Sequence, residues 1–314
     1  MTRKLVIGIH GLANKPEEQV LRDAWHDSII EGLNNVNHTS VDFDFDMVYW
    51  ADLLYAYPLH RRTGFEFDPL FNTEPYVPAK DGELREYSET LLDQLRIAGG
   101  DLVGESVEGL KKHFGFNRLA DLVLRHLLKD LSFYYSGEKI KRPDSDEFAS
   151  ARRVLRDELK SKLQKHAGRD IMLIAHSMGS IIAYDTLREL GPDSGIEVSH
   201  FVTIGSPLGL PHVQGKILNE AKELGKPEEV RTPSIVTKAW LNFADKRDPV
   251  AADPKLADDY TANGSGVQAV QVIDDLVANT YHIEIDGKDE TNHHKSYGYL
   301  RTPEFSKALA AFLQ

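Results

Sequence analysis

The sequence predicts an α/β fold: a mostly parallel sheet of about six strands flanked by helices. Three observations carry that prediction. Short β-branched runs alternate with stretches of helical spacing, the pattern of repeated strand–helix units. One run, Ile171 to Ala175, is apolar throughout, as a strand covered by helices on both faces must be. The composition, 41% apolar and 27% charged over 314 residues, is that of an ordinary globular chain and excludes wholesale disorder or a fibrous repeat.

The six predicted strands are Leu5 to Ile9, Val41 to Tyr49, Ile171 to Ala175, His200 to Ile204, Ser234 to Phe243 and Tyr281 to Ile285. After the first, Pro16 opens a helix with Val20, Ala24 and Leu33 near one face, because proline at a first helical turn forgoes an N–H that has no partner there anyway. The segment of about 58–145 lacks a convincing strand. It carries Leu84, Tyr87, Leu91, Leu95 and Ala98 at helical spacing and a second helix from about Asn117 to Leu131, so it reads as a helical, cap-like insertion within one domain over 1–314. Its entry, Tyr55 through Pro78, is rich in aromatics and proline and reads as an arm. Past Pro143 a helix places Phe148, Ala151, Leu155, Leu159 and Leu163 in one stripe. At the C-terminus Thr302 caps and Pro303 starts a last helix, with Phe305, Leu309 and Phe312 inward.

Charge and missing residue types exclude several chemistries. The 37 Lys plus Arg against 49 Asp plus Glu give a net charge of −12, which repels phosphates and argues against nucleic acid as a partner. The absence of cysteine leaves no disulfide, thiolate nucleophile or thiolate metal site, so any nucleophile is oxygen or nitrogen. The N-terminal apolar run is too short for a signal-peptide core and no stretch reaches the roughly 20 apolar residues of a membrane span, so the expected location is the cytoplasm. No nucleotide-binding glycine pattern is present, and His282, His293 and His294 do not form a zinc motif, so neither cofactor nor metal is expected. Asp42-Phe43-Asp44-Phe45-Asp46 puts three carboxylates on one face of a strand, but Met47 and Leu53 stand where a calcium loop needs Gly and Glu. A solvated strand face is the expectation there.

The strongest chemical signal is Ala175-His176-Ser177-Met178-Gly179, directly after the apolar strand and directly before the helical run Ile181 to Leu187. A sharp strand-to-helix turn lifts the serine above the sheet, and the crowding of that turn demands small residues two before and two after it. A serine hydroxyl needs a base to remove its proton and an acid to orient that base. With such an elbow the chain order is Ser, then Asp or Glu, then His, on loops after the later strands. After the strand ending at Phe243 stand Asp245 and Asp248, and after Tyr281 to Ile285 stand His293 and His294. Asp248 is preferred over Asp245 because Asp-Pro-Val reads as a tight turn that holds a carboxylate still, and His294 is preferred over His293. The oxyanion of such a reaction needs N–H donors: Met178 at the helix start, and Leu12 on the loop His10-Gly11-Leu12, where Gly11 permits a close turn.

These motifs, with Gly205-Ser206-Pro207-Leu208-Gly209 and Tyr297-Gly298-Tyr299-Leu300, give a chain that resembles the α/β-hydrolase superfamily, in particular compact bacterial lipases and serine esterases. The resemblance implies a serine hydrolase of carboxylic esters, with Ser177, Asp248 and His294 as triad, the N–H groups of Leu12 and Met178 as oxyanion hole, no cofactor, and a small ester or acyl substrate; the alternatives are the same triad used by a thioesterase, an amidase or an acyltransferase, or a non-catalytic binding module on the same fold. Two departures from the family are expected: this sequence shows no counterpart of its first two antiparallel strands before Leu5 to Ile9, and the insertion precedes the serine.

Overall fold

An apolar run too short for a helix and too hydrophobic to face water needs cover on both sides, and a parallel sheet between helical layers supplies it. The chain does this in a computed structural model, which describes residues 3–11, 13–37, 42–59, 76–88, 118–143, 145–223, 229–264, 269–285 and 288–314. The strands are β1 (Lys4–Ile9), β2 (Asp44–Val48), β3 (Lys139–Lys141), β4 (Phe148–Ser150), β5 (Asp170–His176), β6 (Val198–Ile204), β7 (Val236–Ala244), β8 (Val272–Leu276), β9 (His282–Ile285) and β10 (Lys288–Thr291). The helices are α1 (Glu18–Asn35), α2 (Arg118–Tyr135), α3 (Ala151–Lys165), α4 (Met178–Glu189), α5 (Pro211–Glu223), α6 (Ser296–Leu300) and α7 (Pro303–Leu313).

Six strands form one sheet in the order β2-β1-β5-β6-β7-β8, with every pairing parallel. The chain leaves β1 outward to β2, then crosses back to build the other side from β5. The carboxyl ends of β1 and β5 therefore flank the point where the winding reverses, which is where open parallel sheets offer a crevice. Right-handed crossovers running in opposite directions send their helices to opposite faces. Accordingly α1 packs with α6 and α7, whereas α3 packs with α2 and α4. Between the layers Ile171 to Ala175 are at most 1% exposed, and each large aliphatic side chain so buried stabilises the fold by roughly 1.5–3 kcal/mol. Val123, Leu127, Leu131 and Tyr134 of α2 join the same core. Among the described residues no helix is long and apolar enough to cross a membrane.

Several sequence expectations give way to packing. The sixth strand of the sheet is β8, not Tyr281 to Ile285, which instead pairs antiparallel with β10 as a separate hairpin. Phe148 is not on a helical stripe but in the small β3–β4 hairpin, exposed, and Ser150 then caps α3 by accepting the Arg153 N–H at 3.4 Å. Val20 likewise faces outward, and the buried stripe of α1 is Leu21, Ala24, Trp25, Ile29 and Leu33. The carboxylates of Asp44 and Asp46 do share one face of β2, but they are ion-paired and not merely solvated: Asp44 with Arg169, and Asp46 with Lys162 at 3.0 Å and His166 at 2.8 Å. Residues 83–88 run without regular structure, and the rest of the helix predicted over Leu84 to Ala98 lies outside the described residues. Most of the predicted arm, 60–75, lies outside them too.

Candidate active site

Ser177 sits alone between the last residue of β5 and the first of α4, with φ 55° and ψ −129°. A residue with a Cβ adopts such a backbone only at a cost of about 1–3 kcal/mol, so its surroundings must impose it. Here they do. The Ser177 N–H donates to the Ile204 carbonyl of β6 at 3.2 Å, and the Ser177 carbonyl accepts the Ser180 N–H at 2.9 Å and the Ser180 hydroxyl at 2.5 Å. Since the Ser180 proton is committed to that carbonyl, its oxygen accepts from the Ser206 hydroxyl at 2.7 Å, and Ser206 in turn accepts the Leu208 N–H at 3.2 Å. The Gly205 to Gly209 segment thus props the elbow from behind.

The loop after β1 closes the other side. A Cβ at Gly11 would lie 2.6 Å from the Ser177 Cβ and 2.8 Å from His176 Nδ1, so that backbone touches the elbow directly and only glycine fits. Leu12 lies outside the described residues. Ala13, next along, has φ 62° and donates its N–H to Asp130 Oδ2 of α2 at 3.1 Å. Met178 opens α4, so its N–H has no intrahelical acceptor and stands at the positive end of the helix dipole.

A histidine ring joins this serine to a buried acid. His294 Nε2 is 2.9 Å from Ser177 Oγ, and His294 Nδ1 is 2.8 Å from Asp248 Oδ2. Asp248 is fully buried; its Oδ1 accepts the Val250 N–H at 2.8 Å and its Oδ2 also accepts the Tyr299 hydroxyl at 2.7 Å. An ionised carboxylate only accepts, so the ring proton is on Nδ1 and the Nε2 lone pair meets the serine hydroxyl. Of the predicted residues, the structure brings Ser177, Asp248, His294 and Met178 together and sets the two rivals apart. The Asp245 carboxylate is taken by the Arg247 side chain at 2.9 and 2.8 Å and by the Asn279 N–H at 2.7 Å. His293 Nδ1 donates to the Asn279 carbonyl at 2.8 Å, and His282 lies between Glu83 and Asp289 at 3.5 and 3.4 Å.

Two further histidines, given no role in the sequence analysis, are built into the walls. His10 stacks on Trp50 at 4.5 Å, donates from Nδ1 to the Gly11 carbonyl at 2.8 Å and accepts the Trp50 N–H at Nε2, 3.1 Å away. His176 donates from Nε2 to the His294 carbonyl at 2.8 Å, which fixes the backbone of the histidine facing Ser177. Burial first, then Lys15, pushes the His10 pKa well below 6.5, and burial first, then His294, does the same for His176. The unfolded chain therefore takes up these protons before the folded one does, and stability falls as pH drops below 6.5. The slope approaches about 1.4 kcal/mol per pH unit for each ring. Asp253, whose carboxyl burial raises to about 6, takes up its proton first in the folded chain and offsets one ring below about pH 6, whereas Asp245 and Asp46, whose pKa values are lowered from 3.8, act only in a more acidic window. Urea midpoints should be level above roughly pH 7.5 and decline toward pH 5. A level profile down to pH 5 would mean that these rings are not held neutral.

No family model matches the sequence, and no curated protein matches it. Among solved structures, a protein of Agrobacterium vitis S4 assigned provisionally as a hydrolase is similar at 16% identity, over 62% of this chain and 82% of that one, with a TM-score of 0.31. A likeness of that degree carries no weight for the chemistry, which rests on the distances above.

Proposed function

We propose that the protein is a serine hydrolase that cleaves carboxylic esters through an acyl-enzyme on Ser177, in keeping with the resemblance of its motifs to α/β-hydrolases. One observation carries this reading: the His294 ring spans Ser177 Oγ at 2.9 Å and Asp248 Oδ2 at 2.8 Å with the tautomer that a general base requires. Ser177 Oγ attacks the ester carbonyl as its proton passes to His294 Nε2. Asp248 stabilises the imidazolium that results. The negative charge on the carbonyl oxygen is met by the Met178 N–H and, in this reading, the Leu12 N–H, each such donor contributing roughly 10²–10³ in rate. His294 then returns the proton to the leaving alcohol, and a water repeats the sequence to release the acid and restore Ser177. The elbow's strain serves this chemistry by holding Oγ clear of the helix before substrate arrives.

A fluorophosphonate probe tests the reading directly, because it reports an activated serine without knowledge of the substrate. Mass spectrometry of the labelled protein should find one adduct, on Ser177, and a panel of p-nitrophenyl esters should slow its formation in proportion to their turnover. Folded protein that leaves Ser177 unmodified while an established serine esterase is labelled in the same tube would overturn it.

A further inference from the structure

The acid of the Ser177 site has a third partner. Tyr299 lies on α6, the short helix that begins just after His294, and it is fully buried. Its phenol oxygen accepts the backbone N–H of Asp245 at 3.0 Å. A backbone amide can only donate, so the phenol's own proton is left to point at Asp248 Oδ2, 2.7 Å away. That oxygen is the one that accepts from His294 Nδ1. The circuit closes through the main chain, since the Asp248 N–H donates to the Asp245 carbonyl at 2.9 Å. Asp245 is itself clamped by Arg247 and Asn279 and cannot drift.

We infer that Tyr299 is a positioning residue for the reaction, which sets how strongly Asp248 draws on the His294 ring by competing for the same carboxylate oxygen. The inference rests on the serine-hydrolase reading above. Two donors on one oxygen share its negative charge, so each bond is weaker than it would be alone. With the phenol present, Asp248 still orients the ring but holds the protonated form less tightly, and the ring returns its proton to the leaving group more readily. Burial pushes the phenol's pKa well above its ordinary value, so this donor is present at every working pH.

Tyr299→Phe removes the donor and keeps the ring that fills the core. The pH at which Ser177 labelling by the fluorophosphonate is half-maximal should rise by about 0.5–1 unit, which lowers the labelling rate on the acidic side of the midpoint by about three- to tenfold. Site-specific 3-fluorotyrosine at position 299 is a stronger donor of nearly the same size, and it should move the same midpoint the other way. The proton NMR resonance of His294 Nδ1–H gives a readout independent of labelling: it should move downfield in Tyr299→Phe and upfield with fluorotyrosine. A merely structural tyrosine would change stability while leaving midpoint and resonance in place, and that result overturns the inference. If wild-type protein is never labelled but the resonance shifts as stated, the hydrolase reading fails and takes with it the role of Tyr299 in the reaction, while the sharing of the Asp248 oxygen stands. If wild type is labelled and neither readout moves, the reverse holds.

Discussion

Asp248→Asn is expected to lower turnover of any ester substrate by roughly 10⁴ with the fold intact, the scale on which an acid-to-amide change acts when it disturbs a base's tautomer. The hydrogen bonds around the side chain decide the outcome. Asp248 Oδ1 accepts from the Val250 backbone N–H at 2.8 Å, a donor that cannot change its role. An asparagine there must therefore turn its carbonyl oxygen toward Val250 and its NH2 toward the position of Oδ2. His294 can adapt to a donor at that place, by moving its proton from Nδ1 to Nε2, while the Tyr299 hydroxyl, which already accepts the Asp245 N–H, must turn its own proton away from the new donor. The cost falls on the serine, since an Nε2–H 2.9 Å from Ser177 Oγ can no longer take the hydroxyl proton. The check is kcat/KM together with probe labelling on protein whose circular dichroism matches wild type. Activity retained within about tenfold would mean that Asp248 does not set the tautomer of His294 and would reopen Asp245 as the acid.

The sequence made this constellation legible because each member carries a local signature: small residues around Ser177, a turn-forming Asp-Pro after β7, and a His before the final helices. The buried strands were legible for the same reason, since an all-apolar run such as Ile171 to Ala175 has few alternatives. What escaped is what depends on neighbours distant in the chain. β8 is an edge strand whose outward positions carry Ile273 and Asp275, and its Asp274 is held by Asn242 and by the N–H groups of Leu256 and Ala257, so its five residues do not alternate cleanly. Tyr281 to Ile285 looked like the better strand because its partner β10, being wholly polar, gave no sign of a hairpin. His176, Ser206 and Tyr299 stand inside motifs of the sequence, but nothing local shows what they touch: their partners lie 118, 26 and 51 residues away, and only packing brings them into place.

Gly179→Ala is expected to lower activity by about 10² or more, well beyond what its loss of stability explains. Gly179 has ordinary helical geometry, so conformational freedom is not the reason for glycine here. A Cβ at that position would lie 2.6 Å from the His10 carbonyl oxygen and 2.8 Å from that of Ile9, both fixed in the backbone at the end of β1. Two effects oppose each other in the folding free energy. Alanine gains about 1 kcal/mol of helix propensity over glycine, while overpacking against rigid backbone costs about 1–3 kcal/mol. The net loss of stability is therefore modest, and the larger consequence is displacement. To relieve the contact the first turn of α4 must move away from β1, carrying Ser177 and the Met178 N–H with it. Misplacement by about 1 Å is enough to cost 10² in rate. Gly215 of α5 supplies the control, because a Cβ there meets nothing within 4 Å. Gly215→Ala should raise stability by up to about 1 kcal/mol and leave probe labelling of Ser177 untouched. If Gly179→Ala behaves like Gly215→Ala in both assays, the close seating of α4 on the end of β1 is not what positions Ser177.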